Sequence, residues 1–322
     1  MVKVSAVMAL KDNEYFSDSI ESVLNQSLDD IEVICIGQNE FAHEKVKYAS
    51  DMESAADEIT GQYVYFLNQG DVIDKNLFRD CVGICEDKNL DFLQFDSDDE
   101  FDSEIHSFVF LKGKTFRMDM ARNTKFFKTS FARQLEGIGE DDYLFFWEAV
   151  LNAKRFSFYP AQVTSKDVTE SYDYQLDLID ISNRVFTKFI DRDLYVRYNF
   201  LLFDWRLELL YNTYMNVPDE LKEDYYTHLK EDFTKMVYHH RFTYFAYGTK
   251  PICMLFFSDV VYSNDFEEFE KLMVQYEIAL DTENVRKENE IIKKNIEFFK
   301  KENDKIFNST SWKITEPLRR KK

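Results

Sequence analysis

The chain contains little glycine, proline and cysteine. Its 322 residues include 8 glycines and 4 prolines, too few for an architecture built mainly from short strands and tight turns. The 4 cysteines, Cys35, Cys81, Cys85 and Cys253, suit a reducing compartment. Cys81 and Cys85 would be neighbours on a helix, but no second pair of ligands accompanies them in the sequence. We therefore expect both to pack in the core.

Long apolar runs and an excess of positive charge are also missing. No run of about 18 apolar residues occurs, so we expect no membrane-spanning helix. The first ten residues have the pattern of a strand rather than of a signal peptide, and we expect a cytoplasmic protein. The formal net charge is −20, which would repel nucleic acid, and we expect no nucleic-acid partner.

Apolar and aromatic residues are abundant. Hydrophobic residues make up 45% of the chain and aromatic residues 16%, with 31 Phe and 19 Tyr, as expected for a globular protein with a large core. A chain of this length can form one large domain and an appendage. We place the divisions at residues 1–165, 166–262 and 263–322.

Strand and helix patterns alternate in the first half of the chain. Residues 2–10 and 32–36 have strand patterns and flank a helical stripe over 12–27, which together indicate a right-handed βαβ unit. A further strand covers 63–67, and a helix and another strand follow at 75–87 and 90–95. The fold class is therefore α/β, with a mostly parallel sheet flanked by helices. From about residue 165 the pattern becomes helical, with aromatic stripes over 172–189, 194–215 and 221–239.

The strand over 63–67 ends abruptly at a polar turn, residues 68–74. In open α/β sheets, ligands bind beyond the carboxyl ends of the strands. This turn is therefore where we expect the functional site.

Three stretches resemble family 2 glycosyltransferases of the GT-A fold. Residues 61–74 resemble the family's G-E-Y-I-x-F-L-D-x-D-D-x-I/Y segment, and residues 139–146 resemble its G-x-E-D-x-x-F. Residues 19–36 are similar, almost position by position, to S-I-x-S-V-L-N-Q-S/T-x-x-D-I-E-V-I-x-V. The resemblance covers about residues 2–160, except for 40–52, and the last dozen residues. It implies a Rossmann-like GT-A domain that transfers a sugar from a nucleotide-diphosphate donor to a cell-surface glycan or lipid-linked acceptor, as a hexosyltransferase does.

The resemblance also implies positions for the site residues. The nucleotide-sugar would lie at the ends of the first two strands and of the strand over 63–67, at Leu10, Asp12, Gly37, Asn68 and Gln69. The catalytic base would be Asp141, with Glu140 beside it, taking the proton from the acceptor hydroxyl as its oxygen attacks the anomeric carbon. The alternative is that these carboxylates only complement the dipole of the helix that follows.

Several positions depart from the family pattern. Its two metal-side carboxylates are replaced by Asn68-Gln69-Gly70, and Asp71 is the carboxylate that remains. The resemblance implies Mg²⁺ or Mn²⁺, with Asp71 near the metal position. The base-recognising D-D-G-S segment is residues 37–40 here, where Glu40 would serve only if displaced, and Asp57-Glu58 replace an Arg-Asn pair. These departures support an alternative function, a catalytically inactive binding or scaffold subunit of a glycan-assembly complex.

A literal D-x-D occurs at residues 96–98. Carboxylates at this spacing can share a hard cation. Because the motif follows a different strand, we interpret it as part of a solvated acidic hairpin that leads into residues 106–111.

The tail has a long charged helical pattern over residues 265–307. Apolar residues recur every seven positions, at Ile278, Val285, Ile292, Phe299 and Ile306. The repeat indicates either a coiled coil that forms a homo-oligomer or a helix packed on its own domain. The last residues, 311–322, combine Trp312 with five cations, four of them at 319–322, and suit either peripheral contact with an anionic membrane surface or a disordered terminus.

Overall fold

A computed structural model of the chain describes residues 1–10, 15–38, 41–96, 101–135, 141–161, 163–164, 171–238 and 251–276. The strands are β1 Val4–Ala9, β2 Ile31–Ile36, β3 Val46–Ala49, β4 Tyr63–Asn68, β5 Phe92–Phe95, β6 Lys125–Lys128 and β7 Phe156–Tyr159. The helices of the first half are α1 Phe16–Leu24, α2 Met52–Glu58, α3 Leu77–Lys88, α4 Phe108–Leu111, α5 Thr129–Ala132 and α6 Asp142–Asn152. The later helices are α7 Tyr172–Asp191, α8 Tyr195–Asn216, α9 Lys222–Tyr238 and α10 Pro251–Tyr262, followed by a helical stretch over 266–276.

The described strands form one seven-stranded sheet in the order β3-β2-β1-β4-β6-β5-β7. The pairs β1–β2, β1–β4, β2–β3 and β5–β7 are parallel, whereas β6 runs antiparallel to both β4 and β5. The sequence prediction of a mostly parallel sheet flanked by helices, followed by a helical region, is confirmed. The parallel arrangement puts the carboxyl ends of β2, β1, β4 and β5 on the same edge.

Alternate residues of each strand pack into two cores, one on each face of the sheet. Ala6, Met8, Tyr65 and Leu67 lie on the face covered by α1 and α3, where Cys81 and Cys85 also pack. Val7, Val64, Phe66 and their equivalents lie on the other face. Because both faces are covered, the side chains that point to either face of the sheet are buried. This explains why the strand sequences are almost continuously apolar. The prediction that both cysteines pack in the core is confirmed.

The helical region continues the second core. Side chains of α7, α8, α9 and α10 belong to the same buried cluster as those of α6 and the sheet. A buried carboxylate fastens this junction, since Glu148 of α6 accepts hydrogen bonds from Lys188 at 3.0 Å and from Arg192 at 2.9 Å, both on α7. Within the described ranges, no helix is both long and apolar enough to cross a membrane.

The structure adds elements that the sequence patterns did not predict. The short strands β3 and β6 have four residues each, too few for a period to be recognised. The acidic hairpin predicted before residues 106–111 stays a prediction, since residues 97–100 lie outside the described residues; after it, His106 forms an isolated bridge to Phe156 and α4 begins at Phe108. Phe108 and Leu111 are both buried, at the i,i+3 spacing of one helical turn. The heptad residues from Ile278 onward and the basic end lie outside the described residues.

Candidate active site

Three of the residues predicted to bind the nucleotide-sugar lie at one edge of the sheet. Ala9 pairs with Ile36 on one side and with Asn68 on the other, so the residues that follow β2, β1 and β4 are neighbours. The backbone N–H of Leu10 donates to the carbonyl of Ile36 at 2.9 Å. Gly37 has a φ of 116°, and a Cβ there would lie 3.4 Å from Leu10 Cβ. The structure thus brings Leu10, Gly37 and Asn68 together, while Asp12 lies outside the described residues.

The turn after β4 is braced by α1. Gly70 has a φ of 100°, a backbone conformation that favours glycine, and its N–H donates to Ser19 Oγ at 2.8 Å. Gln26, just after α1, donates from Nε2 to the carbonyl of Asp74 at 2.7 Å and accepts from the N–H of Phe78 at 3.0 Å. The part of the sequence most similar to the family therefore fixes the shape of this turn.

Asp71 faces inward. It is 1% exposed, and its Oδ2 accepts hydrogen bonds from the N–H of Asn68 and from Asn123 Nδ2, both at 2.8 Å. Gln69 is also buried, at 7% exposure, whereas Asn68 is exposed. Asp71 thus holds the turn and the residues before β6 together.

The described residues do not by themselves fit a divalent cation at Asp71. Mg²⁺ and Mn²⁺ prefer several hard oxygen ligands, yet no group of three or more His, Cys, Asp or Glu side chains that could hold a metal occurs in the described part of the chain. The carboxylate of Asp71 is engaged by protein donors. The cation remains a prediction, and no step below depends on it.

A cavity of about 490 Å³ opens at the ends of β4 and β5. Asn68, Asp96 and Asn123 line it, so Asp96, although it follows a different strand, lies on the same edge as the turn. Residues 97–100 of the acidic string lie outside the described residues. Asn123 Oδ1 is buried and has no hydrogen-bond partner among the described residues, and it could accept from a ligand hydroxyl in this cavity.

Asp141 caps the N-terminus of α6. Its Oδ1 accepts from the N–H of Tyr143 at 2.7 Å, and its Oδ2 accepts from the hydroxyl of Tyr174, on α7, at 2.7 Å. Burial raises the pKa of Asp141, and the charge of Asp142 raises it further, while the hydrogen bonds from Tyr174 and Tyr143 oppose the shift. A raised pKa makes this carboxylate a better proton acceptor. Glu140 lies outside the described residues.

Arg122 and Asn123 connect the turn after β4 to α6. The N–H of Arg122 donates to Asp142 Oδ2 at 3.1 Å, and its guanidinium Nε lies 3.1 Å from Asp142 Oδ1. The guanidinium also stacks over the ring of Phe145, 4.6 Å from its centroid. Since Asn123 binds Asp71, only this short 3₁₀ segment, Arg122–Thr124, separates Asp71 from the start of α6. Sequence reasoning did not identify Arg122, because nothing in the sequence shows that this arginine is buried.

Lys125, the first residue of β6, is 0% exposed. Its Nζ donates to the carbonyls of Asp119 and Ala121, both at 2.7 Å, and to Thr124 Oγ1 at 3.1 Å. Burial lowers the pKa of Lys125 to about 7. Its hydrogen bonds hold residues 119–124, which form part of the wall of the site.

Among solved structures, S. aureus TarS 1–349 has the same fold. Its crystal structure matches with a TM-score of 0.61 at 13% identity, covering 86% of this chain and 92% of that chain. The structure of TarS 1–349 in complex with UDP-GlcNAc matches with a TM-score of 0.63 at 14% identity. The longer S. aureus TarS structure is covered over 55% of its length. The architecture is the GT-A glycosyltransferase fold, as the sequence resemblance predicted.

Comparison of the sequence with protein-family models and with curated proteins gives no significant match.

Proposed function

We propose that this chain is a glycosyltransferase that moves a sugar from a nucleotide-diphosphate donor to a hydroxyl of a glycan or lipid-linked acceptor. The observation that carries the proposal is the position of Asp141. It lies at the start of α6, which Arg122 and Asn123 join to the turn of β4 at the carboxyl edge of a GT-A sheet. A carboxylate with a raised pKa at that edge is suited to act as a general base.

The donor would lie along the carboxyl edge. Leu10, Gly37 and Asn68 are neighbours there, and Gly37 leaves room for a ligand to approach the backbone closely. The sugar would enter the cavity lined by Asn68 and Asn123. The Oδ1 of Asn123, which has no hydrogen-bond partner among the described residues, would accept from a hydroxyl. Structures of S. aureus TarS in complex with UDP and with UDP-GlcNAc support a nucleotide-sugar as the donor class.

Asp141 would take the proton in the transfer step. The acceptor oxygen forms a bond to the anomeric carbon while its proton moves to a carboxylate oxygen of Asp141. The bond from the anomeric carbon to the diphosphate oxygen breaks, and its electron pair leaves with the nucleoside diphosphate. Tyr143 and Tyr174 each donate to Asp141, so the carboxylate is oriented before the substrate arrives, and each of its oxygens retains a lone pair for the proton.

A second function is supported by the residues of the turn itself. Asn68-Gln69-Gly70 stand where the family has carboxylates, and the carboxylate of Asp71 already binds protein donors. Such a turn suits a chain that binds a nucleotide-sugar or glycan without catalysis, as a scaffold subunit. The two functions differ in the role of Asp141, which is the catalytic base in the transferase and has no catalytic role in the scaffold.

Calorimetric titration with UDP- and GDP-sugars, with and without Mn²⁺, tests donor binding, which the transferase function requires and a glycan-binding scaffold does not. We expect one nucleotide to bind, because Leu10, Gly37 and Asn68 lie together at the carboxyl edge of the sheet. If no donor gives a heat signal in either condition, the transferase proposal is wrong and the scaffold function is favoured.

Asp141→Asn tests the base. We expect transfer to fall by about 100-fold or more, while donor affinity stays near that of the unmodified chain, since Asp141 does not line the donor cavity. The control is Asp173→Asn, the same change at an exposed position in the first turn of α7. Equal loss of donor binding and transfer in Asp141→Asn would contradict the assigned role.

A further inference from the structure

A second, larger cavity of about 890 Å³ lies between α8 and residues 113–121. Its floor is formed by Asp142, Tyr143 and Tyr174. Tyr143 and Tyr174 both donate hydrogen bonds to Asp141, so the cavity is lined by residues that hold the proposed base, although Asp141 itself does not line it. It adjoins the smaller cavity along Asp119 and Ala121, which line both.

Helix α8 presents two different faces. One face packs into the core through Leu202, Phe203, Arg206, Leu207 and Leu210. The other face lines the cavity with partly or fully exposed side chains, namely Leu201, Asp204, Trp205, Glu208, Leu209 and Asn212. These positions recur at the i, i+3, i+4 spacing of a single helical stripe. The stripe is therefore a continuous wall of the cavity.

The stripe combines apolar and hydrogen-bonding side chains. Trp205 lies against Tyr143, with ring centroids 6.0 Å apart, and Asp204 and Glu208 flank it on the helix. Aromatic rings pack against the C–H faces of sugar rings, and carboxylates accept hydrogen bonds from hydroxyls. This combination suits a polyhydroxylated ligand better than a lipid or peptide.

The charge of the lining selects among such ligands. Four carboxylates line the cavity, Asp119, Asp142, Asp204 and Glu208, against two cations, Lys114 and Arg117. Asp142 is paired with Arg122, but carboxylates still exceed cations in the lining, and the net charge of the whole chain is −20. A glycan that carries phosphates or carboxylates would be repelled here, whereas an uncharged glycan would not.

We infer that the cavity between α8 and residues 113–121 binds an uncharged glycan as the acceptor, with Trp205 as the stacking surface and Asp204 and Glu208 as hydrogen-bond acceptors for its hydroxyls. The inference rests on the proposed transferase function and names the class of acceptor for it. A glycan bound there would lie against Tyr143 and Tyr174, the residues that hold Asp141, and its reacting hydroxyl would give its proton to that carboxylate.

The test is binding of the full chain to a glycan array that carries neutral, carboxylate-bearing and phosphate-bearing oligosaccharides. We expect neutral oligosaccharides to be retained in preference to anionic ones of the same length. The best neutral oligosaccharide is then titrated against variants, with saturation-transfer NMR as the readout. Trp205→Ala is expected to weaken binding by about tenfold or more.

Two further variants keep the test independent of packing around Trp205. The pair Asp204→Asn and Glu208→Gln, made together, preserves side-chain size and is expected to weaken binding at least several-fold. Glu231→Gln is the matched control, since Glu231 is exposed on α9 and pairs with Lys235 away from this cavity. It should leave glycan binding unchanged.

The outcomes separate this inference from the proposed function. If no neutral glycan is retained, if anionic glycans are preferred, or if neither cavity variant weakens binding, the inference is wrong even when UDP-sugar titration succeeds. If glycan binding depends on Trp205 but no nucleotide-sugar binds, the cavity is a glycan site and the transferase function fails.

Discussion

At the scale of single residues, Asp141 is held by donors from two parts of the chain. Tyr143 belongs to the same helix, whereas Tyr174 comes from α7, about thirty positions later. The charged groups around Asp141 are Asp142, which raises its pKa, and Arg122, whose own pKa is lowered by burial while the charges of Asp142 and Asp141 oppose that shift. The hydrogen bond from Tyr174 stabilises the ionised carboxylate and so sets the pH at which it can act as a base.

Tyr174→Phe is expected to raise the pKa of Asp141 by about 1 unit, because a hydrogen bond to a charged group contributes about 1.5 kcal/mol. The acidic limb of the pH profile of kcat/KM would move to higher pH by the same amount. NMR titration of the Asp141 carboxyl carbon measures the shift without any assay.

The control for this change is Tyr172→Phe. The hydroxyl of Tyr172 donates to Asp224 at 2.6 Å and does not bind Asp141. A pH profile that moves equally in both variants would show that Tyr174 has no specific effect on the base.

Because Lys125 is buried, its protonation is expected to make the unfolding free energy, rather than the activity, depend on pH. Burial lowers its pKa to about 7 in the folded chain, against about 10.4 when unfolded. Between these values the unfolded chain binds more protons at this site, so stability rises with pH.

Lys125→Met removes this titration. Between pH 7 and pH 9, the unfolding free energy of the unmodified chain is expected to increase by about 2 kcal/mol relative to that of the variant. Urea unfolding of both proteins at the two pH values measures the difference. A constant difference between them would mean that Lys125 is charged throughout this range.

At the scale of elements, the segment most similar to the family acts on the turn of β4. Ser19 and Gln26 bind the turn and the start of α3 through their side chains. The helix α1 and the strand β4 are separate in sequence but adjacent through the sheet. The similarity of residues 19–36 to the family therefore indicates that the turn has the same shape. It does not indicate that the turn binds the same ligands.

Gln26→Ala is expected to lower the unfolding free energy by about 2–3 kcal/mol, because it leaves the buried N–H of Phe78 without its acceptor and removes two donated hydrogen bonds. Amide exchange at Gly70 and Phe78 should become faster. Asn25→Ala, at the exposed neighbouring position, is the control. Unchanged exchange at Phe78 in Gln26→Ala would contradict the proposed brace.

Element prediction succeeded where the apolar period was long and failed where it was short. The strands β1, β2 and β4 and the helices α3, α7, α8 and α9 lie close to their predicted bounds. The strand β6 was missed, because Lys125 and Lys128 flank only two phenylalanines. The lysine at its start is buried by tertiary packing alone, so no local pattern could reveal it.

At the scale of the whole molecule, one carboxylate joins the sheet domain to the helical region. Glu148 of α6 is 5% exposed and binds two cations of α7, Lys188 and Arg192. The same junction places Tyr174 against Asp141. The position of the base therefore depends on how the helical region packs.

Glu148→Gln is expected to destabilise the chain by about 3 kcal/mol, since it leaves two partly buried cations without their counter-charge. Thermal or urea unfolding measures the loss. The control is the same change at Glu231, whose exposed ion pair with Lys235 should contribute less than about 0.5 kcal/mol. Equal effects at both positions would mean that Glu148 does not fasten the junction.

Much of the candidate site could be predicted from sequence, and part of it could not. The motifs predicted Asn68 and Asp141 as site residues, and the parallel sheet explains why Leu10, Gly37 and Asn68 become neighbours. No pattern in the sequence indicated that Arg122 and Lys125 are buried at the site, or that one face of α8 lines a cavity. Their roles depend on burial and on contacts between distant segments.

The sequence by itself determined the α/β class and the order of the main strands and helices, and it predicted the edge at which a ligand would bind. These follow from local periodicity and from the geometry of parallel strands. Only the tertiary structure decided that Asp71 turns inward, that Tyr174 reaches Asp141, and that one face of α8 lines a cavity. Those outcomes depend on which distant segments pack together, and a side chain's burial and partners are properties of that packing.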